Sequence, residues 1–265
     1  MHRLFFIHQD YVADSVLTLR YDHYLQPEIK NTTIYYGTDN REHNLLNTFK
    51  QFEIITDKMS VVLDCDLVNP YCSPLNINIY QFGGWISQQL LKLIALDQCD
   101  SDQILIQDCD TFAIQKSTFF RNNLPVCAVV PTLTPKSYNE YYSQITQLDC
   151  NVDSCFVSEF MPVLKTDWIK LRNRIEDIHQ CHWLQALCDL FKQDVEKQVW
   201  FSEYQMLGLW AKNQHPNLET FIQNRLYLNK VEFNSLMFTN HNFACNGCFF
   251  SLSELETLLS NNCNE

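Results

Sequence analysis

The sequence is poor in glycine and proline, with 5 Gly and 8 Pro in 265 residues, yet 46% of its residues are hydrophobic. Disordered chains, collagen-like repeats and flexible linkers have the opposite composition, so we expect a folded chain with one large core. No hydrophobic run approaches the roughly 20 residues that span a bilayer. The apolar residues 4–7 are soon followed by Asp10 and Asp14, which favours a buried strand over a signal peptide.

Basic residues are also scarce, with 19 Lys and Arg against 31 Asp and Glu, and the net charge is −12. A nucleic-acid binder would carry a basic stripe, which the sequence lacks, and the acidity disfavours strong attachment to anionic lipid. We therefore expect a cytoplasmic protein without a transmembrane segment, with at most a peripheral contact at the cytoplasmic face of the inner membrane. One basic cluster is interpreted as a solvated helix face: Lys165, Lys170, Arg172 and Arg174. The oligomeric state stays open.

Cysteine is abundant, with 12 residues, but a disulfide scaffold would be shorter and would have less aliphatic core. Most of the cysteines are expected to be reduced and buried. Cys245 and Cys248 form a lone C-x-x-C, which is either half of a zinc site or a turn flanked by two cysteines.

Apolar runs that alternate with helical periodicity over the first 130 residues predict an α/β fold with a largely parallel sheet. Helices are predicted at 84–97, 165–178 and 183–195, and another is predicted to begin near Ser202. In the first of these, Trp85, Gln88, Gln89 and Lys92 form one stripe. The other predicted elements are a helix at 11–25 and strands at 5–7, 33–36, 52–55, 61–63, 103–106 and 126–130.

Polar residues follow three of the predicted strands. Ligands of such sheets bind beyond the carboxyl ends of the strands, so these residues predict a site for a nucleotide-type ligand. We expect the base or ribose to lie near His8, Asp10, Thr38 and Asp39. We expect a diphosphate to lie near Asp108 and Asp110.

The D-x-D pair Asp108 and Asp110 places two carboxylates within reach of one hard cation, Mn²⁺ or Mg²⁺, which bridges them to phosphate oxygens. Such an ion stabilises a leaving diphosphate. A second pair, Asp64 and Asp66, also follows an apolar run, but residues 67–70 after it predict a loop. The later pair is favoured because it follows a strong helix and a four-residue strand. Strand-end capping is the structural alternative.

Three segments together resemble a family of GT-A glycosyltransferases from bacterial surface-polysaccharide loci. They are a W-x-x-Q-Q-x-x-K-L helix at residues 83–93, the hydrophobic-x-D-x-D-T segment at 104–111, and Phe201-Ser202-Glu203-Tyr204. The resemblance covers residues 1–215. It implies a single GT-A-like nucleotide-sugar-binding and catalytic domain, with residues 216–265 as a C-terminal extension packed on that domain.

The resemblance also implies roles for individual residues. Gln88, Gln89 and Lys92 resemble the helix that faces the donor, and Lys92 is either a ligand of a phosphate or sugar carboxylate or a surface lysine paired with an acid. Asp108 and Asp110 resemble the metal–diphosphate motif.

Glu203 resembles the general base that deprotonates the acceptor hydroxyl in inverting enzymes. The alternative is a structural role in the first turn of a helix, with Ser202 and Gln205 as a capping box. His241 is the preferred third metal ligand, and His215 is the second candidate.

The sequence therefore predicts metal-dependent transfer of a sugar from a nucleotide-sugar donor to a saccharide or lipid-linked acceptor, with inversion, in surface-polysaccharide synthesis. One alternative is a phosphohydrolase that uses both acidic pairs around two ions. Another is a non-catalytic GT-A-like module of a polysaccharide-assembly complex.

Overall fold

The computed structural model describes residues 1–7, 19, 28–36, 58–109, 111–113, 118–130, 136–150, 154–158, 160–193, 201–222 and 243–245, with the backbone alone for 111–113 and 243–245. The strands are β1 His2–Ile7, β2 Asn31–Tyr36, β3 Met59–Leu63, β4 Gln103–Asp108, β5 Thr111–Ala113, β6 Phe120–Arg121, β7 Leu124–Val129, β8 Phe160–Leu164, β9 Glu219–Ile222 and β10 Phe243–Cys245. The helices are α1 Asp64–Cys72, α2 Gly84–Gln98, α3 Lys136–Thr146, α4 Lys165–His179, α5 Trp183–Gln193 and α6 Glu203–Gln214.

A five-stranded sheet with the order β3-β2-β1-β4-β8 forms the centre of the protein. The first four strands are parallel, and β8 runs antiparallel to β4. Apart from Arg3 and Gln107, the buried residues of β1 and β4 are apolar, as expected of a sheet covered on both faces. The prediction of a mostly parallel α/β sheet flanked by helices is confirmed.

Two smaller sheets lie beside the central one. One has the order β6-β7-β9, with β9 parallel to β7, and the other pairs β10 with β5 in antiparallel register. Both described strands of residues 216–265 therefore pair with strands from residues 1–215. The division at residue 215 stays a prediction.

The predicted helices 84–97, 165–178 and 183–195 correspond to α2, α4 and α5, and the helix predicted near Ser202 is α6. Ser202 caps α6, because its side chain accepts a hydrogen bond from the backbone N–H of Gln205. Helix α3 was not predicted. Apart from Leu19, the predicted helix 11–25 and the strand 52–55 lie outside the described residues.

The prediction of a loop at residues 67–70 is wrong, because helix α1 begins at Asp64 and includes these residues. Both carboxylates lie in the first turn, where the helix dipole favours negative charge. Leu67 and Val68 bury their side chains against the core. Pro70 misled the sequence interpretation, but it lies inside this short helix.

The predicted solvated face of α4 is wrong for three of its four basic residues, whereas Lys170 is exposed. Lys165 Nζ donates hydrogen bonds to the carbonyl oxygens of Leu96 and Asp97, at the end of α2. Arg172 contacts Asp97, 3.0 Å away, and Arg174 donates to a carbonyl oxygen of α3. These cations hold α4 against its neighbours. No described helix has the length and apolar character needed to cross a bilayer.

Candidate active site

The carboxyl edge of the central sheet brings the predicted strand ends together. In the strand register, Phe6 lies opposite Asp108, and Tyr36 lies opposite both Ile7 and Leu63. Asp108 therefore ends β4 at the same edge where β1 and β2 end. This edge is where ligands of parallel sheets bind.

Helix α2 brings Lys92 to this edge. The helix starts after Gly83, whose φ of 84° and ψ of 163° lie in a region open almost only to glycine. The carbonyl of Gly83 accepts hydrogen bonds from the backbone N–H and the hydroxyl of Ser87, which fixes the first turn.

Lys92 forms the centre of a buried charged cluster. Its Nζ lies 2.6 Å from Asp108 Oδ1 and 2.8 Å from Glu203 Oε1. It also donates a hydrogen bond to the Tyr204 hydroxyl and lies 4.3 Å from the centre of that ring. One ammonium thus joins the end of β4 to the start of α6. The alternative that Lys92 is a surface lysine is wrong, because its side chain is only 2% exposed.

Glu203 is completely buried. Its Oε1 contacts Lys92 as an ion pair, but neither carboxylate oxygen accepts a hydrogen bond of good geometry from a described residue. Asp108 differs, because its Oδ1 is buried while 23% of the side chain is exposed. The Asp108 side chain is therefore partly accessible at the carboxyl end of β4.

The three charges shift one another's protonation. Burial raises the pKa of Glu203 above its ordinary 4.5, and the Asp108 charge adds to this, whereas Lys92 opposes it. Burial alone would lower the pKa of Lys92, but the two carboxylates outweigh it, and the pKa is raised. Lys92 is therefore a permanent cation at neutral pH.

We predict that Glu203 makes folding less favourable as the pH rises. A carboxyl whose pKa is raised on folding stabilises the protein below its unfolded pKa, and this stabilisation is lost as pH rises through the folded value. Glu203→Gln lacks this titration. In metal-free urea titrations from pH 4.5 to 8, the free energy of unfolding of wild type relative to the variant should fall, by at most about 1.4 kcal/mol per pH unit. A flat or rising difference would contradict the buried, high-pKa carboxyl.

Gln89 and Trp85 extend the contact between α2 and the start of α6. Gln89 Oε1 accepts a hydrogen bond from the Glu203 backbone N–H at 3.0 Å. Trp85 Nε1 donates to the carbonyl oxygen of Phe201 at 3.2 Å. The predicted stripe on α2 thus lies along residues 201–204, although Gln88 is only half-buried and its donor role stays a prediction.

Six of the predicted site residues lie outside the described residues: His8, Asp10, Thr38, Asp39, Asp110 and His241. The other candidate ligand, His215, contacts Asp167 Oδ2 at 2.7 Å, on the far end of α6. Sequence reasoning missed Tyr204 as a contact of Lys92, although it lies within the quoted 201–204 segment.

The described residues supply part of a site for a hard divalent cation. Among the described residues, no group of three His, Cys, Asp or Glu could hold a metal. Asp108 presents a partly exposed carboxylate at the sheet edge, which is the oxygen ligand that Mn²⁺ and Mg²⁺ prefer. Asp110 would add a second carboxylate, so Asp108 fits such an ion.

Three solved structures with a similar fold are structures of glycosyltransferases. The galactosyltransferase LgtC in complex with donor and acceptor sugar analogues matches with a TM-score of 0.52 and 9% identity, over 98% of this chain and 96% of LgtC. An active-site mutant of LgtC matches with a TM-score of 0.51 and 10% identity, over 98% and 96% of the two chains. The bifunctional glycosyltransferase WbbM, in its apo form, gives a TM-score of 0.51 and 9% identity, and this chain spans half of its length.

These likenesses show that the chain has the GT-A fold. No curated protein is detectably similar to it. A family model described as a family of unknown function, DUF6492, matches residues 8–237, and the chain belongs to that family.

Proposed function

We propose that the chain transfers a sugar from a nucleotide-sugar donor to a saccharide or lipid-linked acceptor, in a reaction that depends on Mn²⁺ or Mg²⁺. The observation that carries the proposal is the Lys92 ammonium, which joins Asp108 and Glu203 at the carboxyl edge of a GT-A sheet. A purely structural core would not need a charged cluster at this edge, because buried ion pairs contribute little net stability.

Lys92 orients the Asp108 carboxylate. It contacts Oδ1, so the partly exposed remainder of that side chain is directed to the sheet edge. There Asp108, with Asp110, would hold the divalent cation, which supplies charge neutralisation for the leaving diphosphate. An acidic protein needs this neutralisation to accept a pyrophosphate, since its net charge is −12.

The nucleotide half of the donor is assigned to the ends of β1 and β2. His8 and Asp10 follow β1 in the sequence, and Thr38 and Asp39 follow β2. Strand β1 ends beside Asp108 in the register of the sheet, and β2 ends beside β1. These four residues remain proposed ligands of the base and ribose.

Glu203 suits a positioning role better than that of a general base. A base must come within hydrogen-bond reach of the acceptor hydroxyl, whereas Glu203 is completely buried and pairs with Lys92. We propose that it holds Lys92 in place. Inversion at the anomeric carbon, predicted through Glu203, would then need a base from another residue.

The two-ion phosphohydrolase is disfavoured by the strand order. Asp64 follows β3 and Asp108 ends β4, and β2 and β1 lie between these strands. Three strand spacings amount to roughly 14 Å, whereas two-metal sites hold their ions about 4 Å apart. In addition, the Tyr80 hydroxyl donates a hydrogen bond to Asp64. A surface-polysaccharide acceptor, with action at the cytoplasmic face of the membrane, remains part of the proposal.

Asp108→Asn tests the proposal. The variant should bind nucleotide sugars at least about tenfold more weakly in the presence of Mn²⁺, because the amide is a poorer ligand of a hard cation. Calorimetry with UDP-, GDP- and ADP-sugars would measure this, after a thermal-shift screen has identified the preferred donor.

The control is Asp66→Asn, which changes an exposed acid of the other D-x-D pair and should leave donor affinity unchanged. Undiminished affinity in Asp108→Asn would contradict the assignment of the diphosphate to this edge. Failure of wild type to bind any nucleotide sugar with either Mn²⁺ or Mg²⁺ would overturn the proposed function.

A further inference from the structure

Trp85 exposes a large aromatic surface at the start of α2. Its side chain is 52% exposed, although most aromatic residues of the described chain are buried. The indole N–H is already used, because it donates to the Phe201 carbonyl oxygen. The edge of the ring is therefore fixed, and what remains for a ligand is an apolar surface without a free hydrogen-bond donor.

Trp85 lies on the same face of α2 as the charged cluster. Residues 85, 89 and 92 are four and three positions apart, so they form one stripe along the helix. All three contact residues 201–204. Along the axis, seven residues place Trp85 roughly 10 Å from Lys92, which is about the length of two sugar rings.

The direction of α2 places Trp85 on the ligand side of the sheet. The helix ends at Gln98 and the chain enters β4 at Gln103, so the carboxyl end of α2 adjoins the amino end of β4. The amino end of α2, with Trp85, then lies at the carboxyl edge, beyond the level of Lys92. Buried polar residues lie deeper along the stripe, and the exposed ring lies at its outer end.

The contacts of Trp85 place its ring beside the segment that leads into α6. The indole N–H donates its hydrogen bond to Phe201, two residues before the start of α6. Helix α6 packs against β8. Strand β8 lies on one side of β4, and β1 and β2 lie on the other. Helix α2 itself packs against β1 and β4, so the ring lies where α2 meets the segment before α6.

We propose that Trp85 is the acceptor platform, on which the apolar C–H face of a neutral pyranose ring stacks. This inference rests on the proposed function and names the chemistry of the acceptor side of that same site. A pyranose presents C–H groups on one face and hydroxyls around its rim, which matches an indole face whose N–H is occupied. The rigid ring loses little conformational entropy on binding.

Saturation-transfer NMR tests the platform with methyl β-glucopyranoside, methyl β-galactopyranoside, methyl α-mannopyranoside and octyl β-glucopyranoside as probes. The protein is saturated with diamagnetic Mg²⁺ and the nucleoside diphosphate of the donor that the thermal-shift screen identifies, and donor binding by each variant is measured separately by calorimetry. Wild type should transfer saturation to the ring protons of at least one glycoside. Trp85→Ala should lower the affinity for that glycoside about three- to tenfold, and Trp85→Tyr should retain most of the affinity.

The matched control is Ile222→Ala, which removes another exposed apolar side chain, on β9 of a different sheet, and should leave glycoside affinity unchanged. Equal affinity in wild type and Trp85→Ala, or no saturation of any glycoside ring, would overturn the platform. Saturation confined to the octyl chain would also overturn it, in favour of a lipid contact.

Donor binding separates this inference from the proposed function. If the protein binds the donor but the Trp85 variants bind glycosides as wild type does, only the acceptor platform is refuted. If the protein binds no donor but its glycoside affinity depends on Trp85, the transferase function is refuted, and Trp85 is part of a saccharide-binding site.

Discussion

Lys92→Met is expected to lower the free energy of unfolding by about 3–5 kcal/mol, because it leaves a buried carboxylate without its counterion. Methionine fills a similar volume, so lost packing contributes little. Glu203 carries most of the penalty, since it is completely buried, whereas Asp108 is partly exposed to water. Chemical denaturation at neutral pH would measure the loss.

The loss should depend on pH in a defined direction. Without Lys92, Glu203 escapes the penalty by taking up a proton, and its pKa is already raised by burial. The destabilisation should therefore be smaller at pH 5 than at pH 8. Lys92→Met combined with Glu203→Gln should recover part of the loss, because both the cation and its buried partner charge are removed.

Lys170→Met is the matched control for this prediction. Lys170 lies on α4 with its side chain 58% exposed, and its nearest acid, Asp167, is 4.0 Å away. The Lys170 ammonium is exposed to water and Asp167 also pairs with His215, so this contact contributes little and stability should change by less than about 1 kcal/mol. Equal effects of the two lysine substitutions would contradict the buried triad.

The sequence predicted the sheet and most of its helices because these depend on local patterns. The run 104–106 is apolar throughout and bounded by Gln103 and Gln107, which is typical of a strand buried on both faces. The α2 stripe has helical periodicity and was predicted for the same reason. Helix α1 was missed because Pro70 favoured a loop, although two acids and a buried Leu67 support a helix there.

The candidate site was only partly predictable. The sequence indicated Asp108, Lys92 and Glu203 separately, but no local pattern shows that one ammonium joins them, since Lys92 and Glu203 are 111 positions apart in the sequence. The stripe correctly grouped Trp85, Gln89 and Lys92. Their opposite exposures depend on where α6 packs, which the helical period alone does not determine.

Gly208→Ala is expected to lower the free energy of unfolding by about 1–3 kcal/mol, although alanine is the better helix former. Gly208 lies within α6, the helix that begins at Glu203. A Cβ at this position would lie 2.6 Å from Phe156 Cδ1 and closer still to its Cβ and Cγ. Phe156 is buried, and Gln205 Oε1 accepts a hydrogen bond from its backbone N–H at 2.7 Å, so it cannot move away freely.

Gly84→Ala supplies the matched control, because it places the same methyl group in a helix where nothing lies within 4 Å of it. That variant should be neutral or more stable by up to about 1 kcal/mol. If Gly208→Ala instead matched Gly84→Ala in chemical denaturation, the close approach of α6 to Phe156 would be refuted, and with it the packing that holds Glu203 against Lys92.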